Sequence, residues 1–312
     1  MKQQFTQFSE AVRLTPTQQE DAKKKYTGVI ETLHPEYYDT EYNGSTKLLF
    51  GSYKTKTNIR PMSPDQDVDV IFKIPRETYD RFKAYTSNGP SALLQEIKDI
   101  LADSYTTSEE PKGWGKVVLV KFADNTHNVE VLPAYEEEDG TFTIPNSENG
   151  GSWDSFDPRD QVKRFQDSNT STNGLTADLT RMLKRWLFNL STINYRPYQL
   201  MEDVMEFLEG DYSGGAEYSA YAEVVKDFFT FLEENCDGTI LSHVETALTR
   251  ATKAVDYEAN DELKNASEEW RKIFGNLFPV AEDPEKVEES NSGTRDFSST
   301  RVFTNPSAPY AH

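Results

Sequence analysis

Two carboxylates one residue apart inside an apolar run, Asp67-Val68-Asp69-Val70-Ile71-Phe72, set the strictest condition on how this chain folds. The run reads as a strand, and strand side chains alternate. Both carboxylates therefore lie on one face, with Val68 and Val70 on the other. The valine face needs a hydrophobic layer against it. The carboxylate face needs water, or a cation between two like charges. Mg²⁺ typically takes one or two protein carboxylates and completes its shell with phosphate oxygens and water. A solvated edge strand has the same pattern, so the pair alone leaves both readings open.

Two further features narrow the choice. Upstream, Lys47-Leu48-Leu49-Phe50 reads as a short strand running into Gly51-Ser52, with Lys54, Lys56 and Thr57 close behind. Glycine lets a phosphate approach the backbone amides, and a serine hydroxyl can donate to it. Downstream, Asn128-Val129-Glu130-Val131-Leu132 reads as another strand, with one acid in an apolar run leading to Pro133. Burying that acid without a partner or a metal is expensive. An ordinary turn at Gly51 and an exposed edge-strand glutamate at 130 are the competing readings. Strand-Gly-Ser followed by strand-Asp-x-Asp is far more specific than either part.

The rest of the chain splits in character. Segments 5–12 and 15–33 read as helices, the second opened by a capping Thr15 before Pro16; segments 75–85 and 91–105 read the same way. Strands are expected at 116–122 and 128–132, joined by a hairpin turn at Ala123-Asp124-Asn125-Thr126. From 158 onward, segments 158–169, 175–192, 197–208, 217–234, 243–257 and 260–276 all carry apolar residues at helical spacing. The expected architecture is α+β: a mixed lobe over 1–157, an all-helical lobe over 158–280, and a mobile Ser/Thr/Pro-rich tail over 281–312. With 33 Lys and Arg against 53 Asp and Glu, the net charge of −20 argues against tight binding to long nucleic acid. No apolar run is long enough to span a membrane, no signal-peptide core follows Met1, and the single cysteine, Cys236, excludes a cysteine metal cluster. A cytoplasmic protein fits these features. Glu136-Glu137-Glu138-Asp139 reads as a solvated loop.

With these pieces together, the sequence resembles the polymerase-β-like nucleotidyltransferases: Gly51-Ser52, then Asp65-Gln66-Asp67-Val68-Asp69-Val70, then Val129-Glu130-Val131-Leu132-Pro133-Ala134. Among them it is most similar to the bacterial CD-NTases, the cGAS/DncV-like enzymes of anti-phage signalling. Gly150-Gly151-Ser152-Trp153, Met182-Leu183-Lys184-Arg185-Trp186 and Trp270-Arg271-Lys272-Ile273-Phe274-Gly275 are further matches, so the resemblance covers about residues 5 to 280.

The resemblance implies a nucleotidyltransferase core with a mixed sheet and a helical lobe that completes the cleft. It implies that Asp67, Asp69 and Glu130 hold two Mg²⁺, with Mn²⁺ as a possible substitute, and that Gly51 and Ser52 clamp a nucleoside triphosphate. Lys184 becomes the counter-ion of the β- and γ-phosphates, although alone it reads as a surface lysine; Tyr198 is a candidate for stacking on a base. The implied activity is synthesis of a cyclic di- or trinucleotide from NTPs with release of pyrophosphate. The implied partners are an operon-encoded effector switched on by the product, as in CBASS defence, and a ubiquitin-transfer-like protein acting on the C-terminal tail. Two positions depart from the family pattern: the third acid is Glu130 rather than Asp, and Met201 stands in the helix after Lys184 where Glu is usual. A template-free transferase acting on tRNA or a protein, or an inactive nucleotide-binding scaffold, are the rival functions.

Overall fold

The computed structural model describes residues 1–61, 67–105, 109–123, 126–190, 193–210, 212–236 and 238–283. Helix α1 covers Lys2–Val12 and α2 covers Pro16–Tyr37. Thr15 starts α2 as expected: its hydroxyl accepts from the Gln18 amide while the Gln18 side chain accepts from the Thr15 amide. This reciprocal pair serves two amides that a helix start otherwise leaves without partners. The helix runs past Leu33 to Tyr37, with Pro35 inside its last turn. Strand β1 (Lys47–Leu49) leads into a short helix α3 (Gly51–Thr55), where the sequence suggested only a turn. Then come β2 (Asp67–Lys73), α4 (Arg76–Lys83), α5 (Gly89–Ser104), β3 (Lys112–Trp114), β4 (Val117–Val120), β5 (Asn128–Glu136), β6 (Phe142–Asn146) and β7 (Ser152–Phe156).

These strands form a mixed sheet in the order β1-β2-β5-β4-β3, with β2 and β5 parallel and the other neighbours antiparallel; β6 and β7 extend from the end of β5. Val68, Val70 and Phe72 of β2, with Val129 and Val131 of β5, are fully buried beneath Val29, Leu33, Leu93 and Ile97 of α2 and α5. The valine face thus finds its hydrophobic layer. On the opposite face, Ile71 and Leu132 join Phe142 and Ile144 of β6 in a small separate core. Strands β3, β6 and β7 escape a reading by alternation because they are short and interrupted by Gly113, Pro145 or polar residues. The turn residues Asp124 and Asn125 lie outside the described residues, while β4 and β5 on either side pair antiparallel as a hairpin does.

Six helices follow: α6 (Pro158–Ser171), α7 (Leu175–Phe188), α8 (Pro197–Gly210), α9 (Tyr221–Asn235), α10 (Leu241–Ala259) and α11 (Leu263–Phe274). Phe165 of α6 packs in a small core with Ala177, Met201 and Met205, while the apolar stripes of α7 to α11 meet in a larger one around Trp186, Phe228, Phe229 and Trp270. Helix α1 packs here and not against the sheet, which corrects its placement with residues 1–157. Phe5 lies edge-on to Trp270 at 5.1–5.3 Å from the rings of Phe278 and Trp270, and Phe8 meets Phe274 at 4.8 Å. An amphipathic helix goes where a complementary apolar groove exists, and sequence order does not decide that. The boundary at 281 also moves: Ala281 is buried with its amide on Ser267 Oγ, and Asp283 caps the Lys264 amide. The tail proper, 284–312, lies outside the described residues. Glu136 is no loop residue either. It ends β5 and pairs with Lys73 at 2.6 Å and with Arg159. Among the described residues, no helix is long and apolar enough to cross a membrane.

Candidate active site

The parallel pairing of β2 with β5 sets Asp69 opposite Glu130 and Asp67 opposite Asn128. Residues paired across neighbouring strands share a face, so all three carboxylates stand together on the side away from the valine core. Each is half-buried. Burial pushes the Asp69 carboxyl up to about 7; the nearby Asp67 charge adds to the rise, and Lys184 pulls against it. Burial, followed by the charges of Asp69 and Asp67, pushes Glu130 up to about 7 as well. Carboxylates crowded and desolvated in this way hold protons that a nearby cation would displace.

Gly51 adopts a left-handed backbone, φ +61°, and a Cβ there would stand 2.1 Å from Asp69 Oδ2. Its smallness therefore makes room for the carboxylate itself, a different reason from the approach of a phosphate. The Ser52 backbone offsets a small part of the rise at Asp69. The Ser52 hydroxyl accepts from Asn58 Nδ2 at 3.0 Å, which leaves its own proton available to a ligand. Thr57 and Asn58 are buried beneath this turn. Lys184 reaches in from α7: its Nζ donates to the Thr57 carbonyl at 3.1 Å and to Thr57 Oγ1 at 3.2 Å, leaving a third N–H. It is a buried group and not a surface lysine, and burial pushes it down to about 8.

Gly51, Ser52, Asp67, Asp69, Glu130, Lys184 and Tyr198 all line one cavity of about 620 Å³. This is within the usual size range of small-molecule sites. Tyr198 sits 48% exposed at the rim, its hydroxyl beside the Arg164–Glu202 pair that ties α6 to α8. Met201 also lines the cavity, and the neighbouring Glu202 is occupied by Arg164. Sequence reasoning missed Thr57, Asn58, Gln161 and Arg196 as lining residues. Asn58 and Thr57 lie just beyond Gly51-Ser52, but their roles depend on a chain reversal that no spacing announces. A second cavity of about 900 Å³ lies on the other side of the turn and shares Thr55 and Asn58 with the first, but it holds none of the three carboxylates.

The remaining family matches serve packing. Trp153 meets Tyr79 edge-on at 5.1 Å, Trp186 meets Phe229 at 5.1 Å, and Gly151 leaves space for Asn88. His34 and His127 are buried, with Thr46 and Asp21 as hydrogen-bond partners.

The donors suit hard divalent cations, because every ligand on offer is a carboxylate oxygen. They share a face and a cavity without forming a closed cage: among the described residues no group of three His, Cys, Asp or Glu side chains is set to hold an ion alone. A Mg²⁺ site completed by phosphate oxygens requires only one or two carboxylates. The donor set therefore fits a metal that arrives with its nucleotide.

The sequence profile of the Second Messenger Oligonucleotide or Dinucleotide Synthetase domain matches residues 1–169. A protein of Bacillus cereus (strain VD146), named a probable cyclic nucleotide synthase, is 22% identical over 289 residues, spanning 78% of this chain and 85% of its own. The apo form of DncV from Vibrio cholerae superposes with a TM-score of 0.64 at 14% identity, covering 88% of this chain and 96% of its own. CdnC of E. coli MS115-1, solved with ATP, gives 0.60 at 16% identity over 89% of this chain and 98% of its own. The two solved structures establish the shared fold.

Proposed function

We propose that this chain, which belongs to the Second Messenger Oligonucleotide or Dinucleotide Synthetase family of bacterial CD-NTases, joins nucleoside triphosphates into a cyclic di- or trinucleotide and releases pyrophosphate at each bond. The observation that carries the reading is that three carboxylates from two adjacent strands, the Gly51-Ser52 turn and Lys184 open on one cavity. Bound to Asp67, Asp69 and Glu130, two Mg²⁺ would supply an activated ribose hydroxyl and charge neutralisation on the leaving pyrophosphate, with Mn²⁺ as a substitute.

The chain's own residues supply the rest. Ser52, with its hydroxyl proton free, holds a phosphate oxygen. Lys184 directs its remaining N–H and its charge at the β- and γ-phosphates. Glu130, facing Asp69 across the strand pair, is the group assigned to the proton of the attacking hydroxyl. The exposed ring of Tyr198 offers a base a stacking surface at the rim. In the first transfer an oxygen–phosphorus bond forms at the α-phosphate as the bond to pyrophosphate breaks. The linear product re-binds in the same cavity, and a second transfer closes the ring. Such a product serves as a second messenger, so we extend the proposal to an effector encoded nearby and a role in anti-phage defence of the CBASS type.

Incubation with ATP, GTP, CTP and UTP and Mg²⁺ or Mn²⁺, followed by phosphatase treatment and mass spectrometry, tests the reading. A phosphatase-resistant cyclic product is expected. A linear product only, or label attached to tRNA or to protein, would overturn it.

A further inference from the structure

Helix α7 carries Lys184 into the cavity, and one turn earlier it carries a second buried cation, Arg181. Arg181 touches none of the three carboxylates. Its Nη1 donates to the carbonyl of Lys56 at 2.6 Å, and its Nη2 pairs with Asp178. Asp178 is held in turn by Arg13 at 2.6 Å and by the hydroxyls of Tyr218 and Tyr221 at 3.1 and 3.2 Å. Buried ion pairs contribute little net stability, because desolvation offsets the Coulomb attraction. This network has a geometric consequence: it fixes one guanidinium against one backbone carbonyl.

That carbonyl belongs to a residue under strain. Lys56 ends α3 in the left-handed region, φ +57° and ψ +35°. A non-glycine residue pays for this conformation in energy and keeps it only when its surroundings over-determine it. Here they do. Arg181 holds the Lys56 carbonyl and Lys184 holds the Thr57 carbonyl. Downstream of these holds, the amides of Lys56 and Thr57 both donate to the Ser52 carbonyl, and Asn58 Nδ2 donates to the Ser52 hydroxyl. A continuous chain of contacts runs from α7 through residues 56–58 to Ser52.

We propose that Arg181 is a positioning residue for nucleotide binding, holding the strained Lys56–Asn58 segment so that Ser52 presents its hydroxyl to the triphosphate. The inference rests on the nucleotide-binding role given to Ser52 above and extends it to a residue outside the cavity.

A double-mutant cycle of Arg181→Met and Ser52→Ala tests it. The cycle is read both as kcat/KM for product from the four NTPs and as affinity for each NTP by calorimetry with Mg²⁺. If Arg181 acts through Ser52, each single variant loses roughly tenfold or more, mainly in KM, and the double variant loses little beyond the worse single. Adding Lys56→Gly to Arg181→Met should recover roughly five- to tenfold, because glycine adopts the left-handed conformation without the penalty. The side chain of Lys56 is exposed, so Lys56→Val perturbs the same backbone without opening the buried network. It should reproduce the KM loss and the non-additivity with Ser52→Ala even where Arg181→Met fails to fold. Losses that multiply, or no recovery with glycine, would overturn the proposal. A wild-type chain that binds NTPs but makes no cyclic product would count against the proposed function and leave the affinity cycle to decide on Arg181.

Discussion

Replacing Gly51 by alanine separates two reasons for a glycine at this turn. The added Cβ would stand 2.1 Å from Asp69 Oδ2, 2.8 Å from its Cγ and 3.2 Å from its own Cβ. Relief requires the carboxylate to move by about 1 Å, on the scale at which misplaced catalytic groups lose roughly 100-fold in rate. Strand β2 is flanked by β1 and β5 and cannot retreat as a whole. The left-handed φ of +61° adds about 1–2 kcal/mol of backbone strain. For a chain of this size that lowers Tm by only a few degrees. The expected result is a folded protein, slightly less stable, with kcat/KM down about 100-fold. The divalent-ion concentration for half-maximal rate should rise, and the Mn²⁺-induced gain in Tm should shrink. Titrating Mg²⁺ in a pyrophosphate-release assay and melting with and without Mn²⁺ measure each quantity. If Gly51→Ala raises KM for the nucleotide but leaves the metal response within twofold of wild type, glycine serves phosphate approach, and the argument from Asp69 is refuted.

Three more outcomes follow from the same geometry. Asp69 and Glu130 bind protons more tightly folded than unfolded, so the metal-free chain should lose stability as pH rises from about 4 through about 7 and level off above; Asp69→Asn should melt higher than wild type at pH 8 and lose that advantage toward pH 4, while abolishing synthesis. Equal melting temperatures at pH 8 would contradict the burial argument. Glu130→Gln should cost orders of magnitude in turnover and Glu130→Asp should keep a measurable rate in the same assay, whereas a fully active Gln variant would hand the role to another acid. Lys184→Met removes a buried cation that faces Asp69 and holds Thr57, so KM for the NTPs should rise at least tenfold; an unchanged KM would leave Lys184 with a packing role alone.

Much of the carboxylate face is legible in the sequence because it depends on short-range rules. Alternation places Asp67 and Asp69 together whatever the strand packs against, and the Thr15–Gln18 capping box needs only four consecutive residues. Helical spacing from 158 onward likewise implies an apolar stripe that must be buried. The reading could also propose Glu130 as a third acid, since a lone carboxylate in an apolar run demands a partner.

Whether that acid stood beside Asp69 was a matter of register, and only the parallel pairing of β2 with β5 decided it. The same holds for α1, which sequence order assigns to the sheet and the groove lined by Trp270 and Phe274 captures for the helical lobe. It holds again for Lys184 and Arg181, whose carbonyl partners lie 127 and 125 residues away in the chain. Local periodicity reports which face of an element must be buried, because that depends on neighbours within a turn or a pleat. It carries no information on which of several apolar faces will meet it, or which distant carbonyl a buried cation will find. Those choices come from the joint packing of all the elements, where burying an unpaired charge costs more than any local preference can offset.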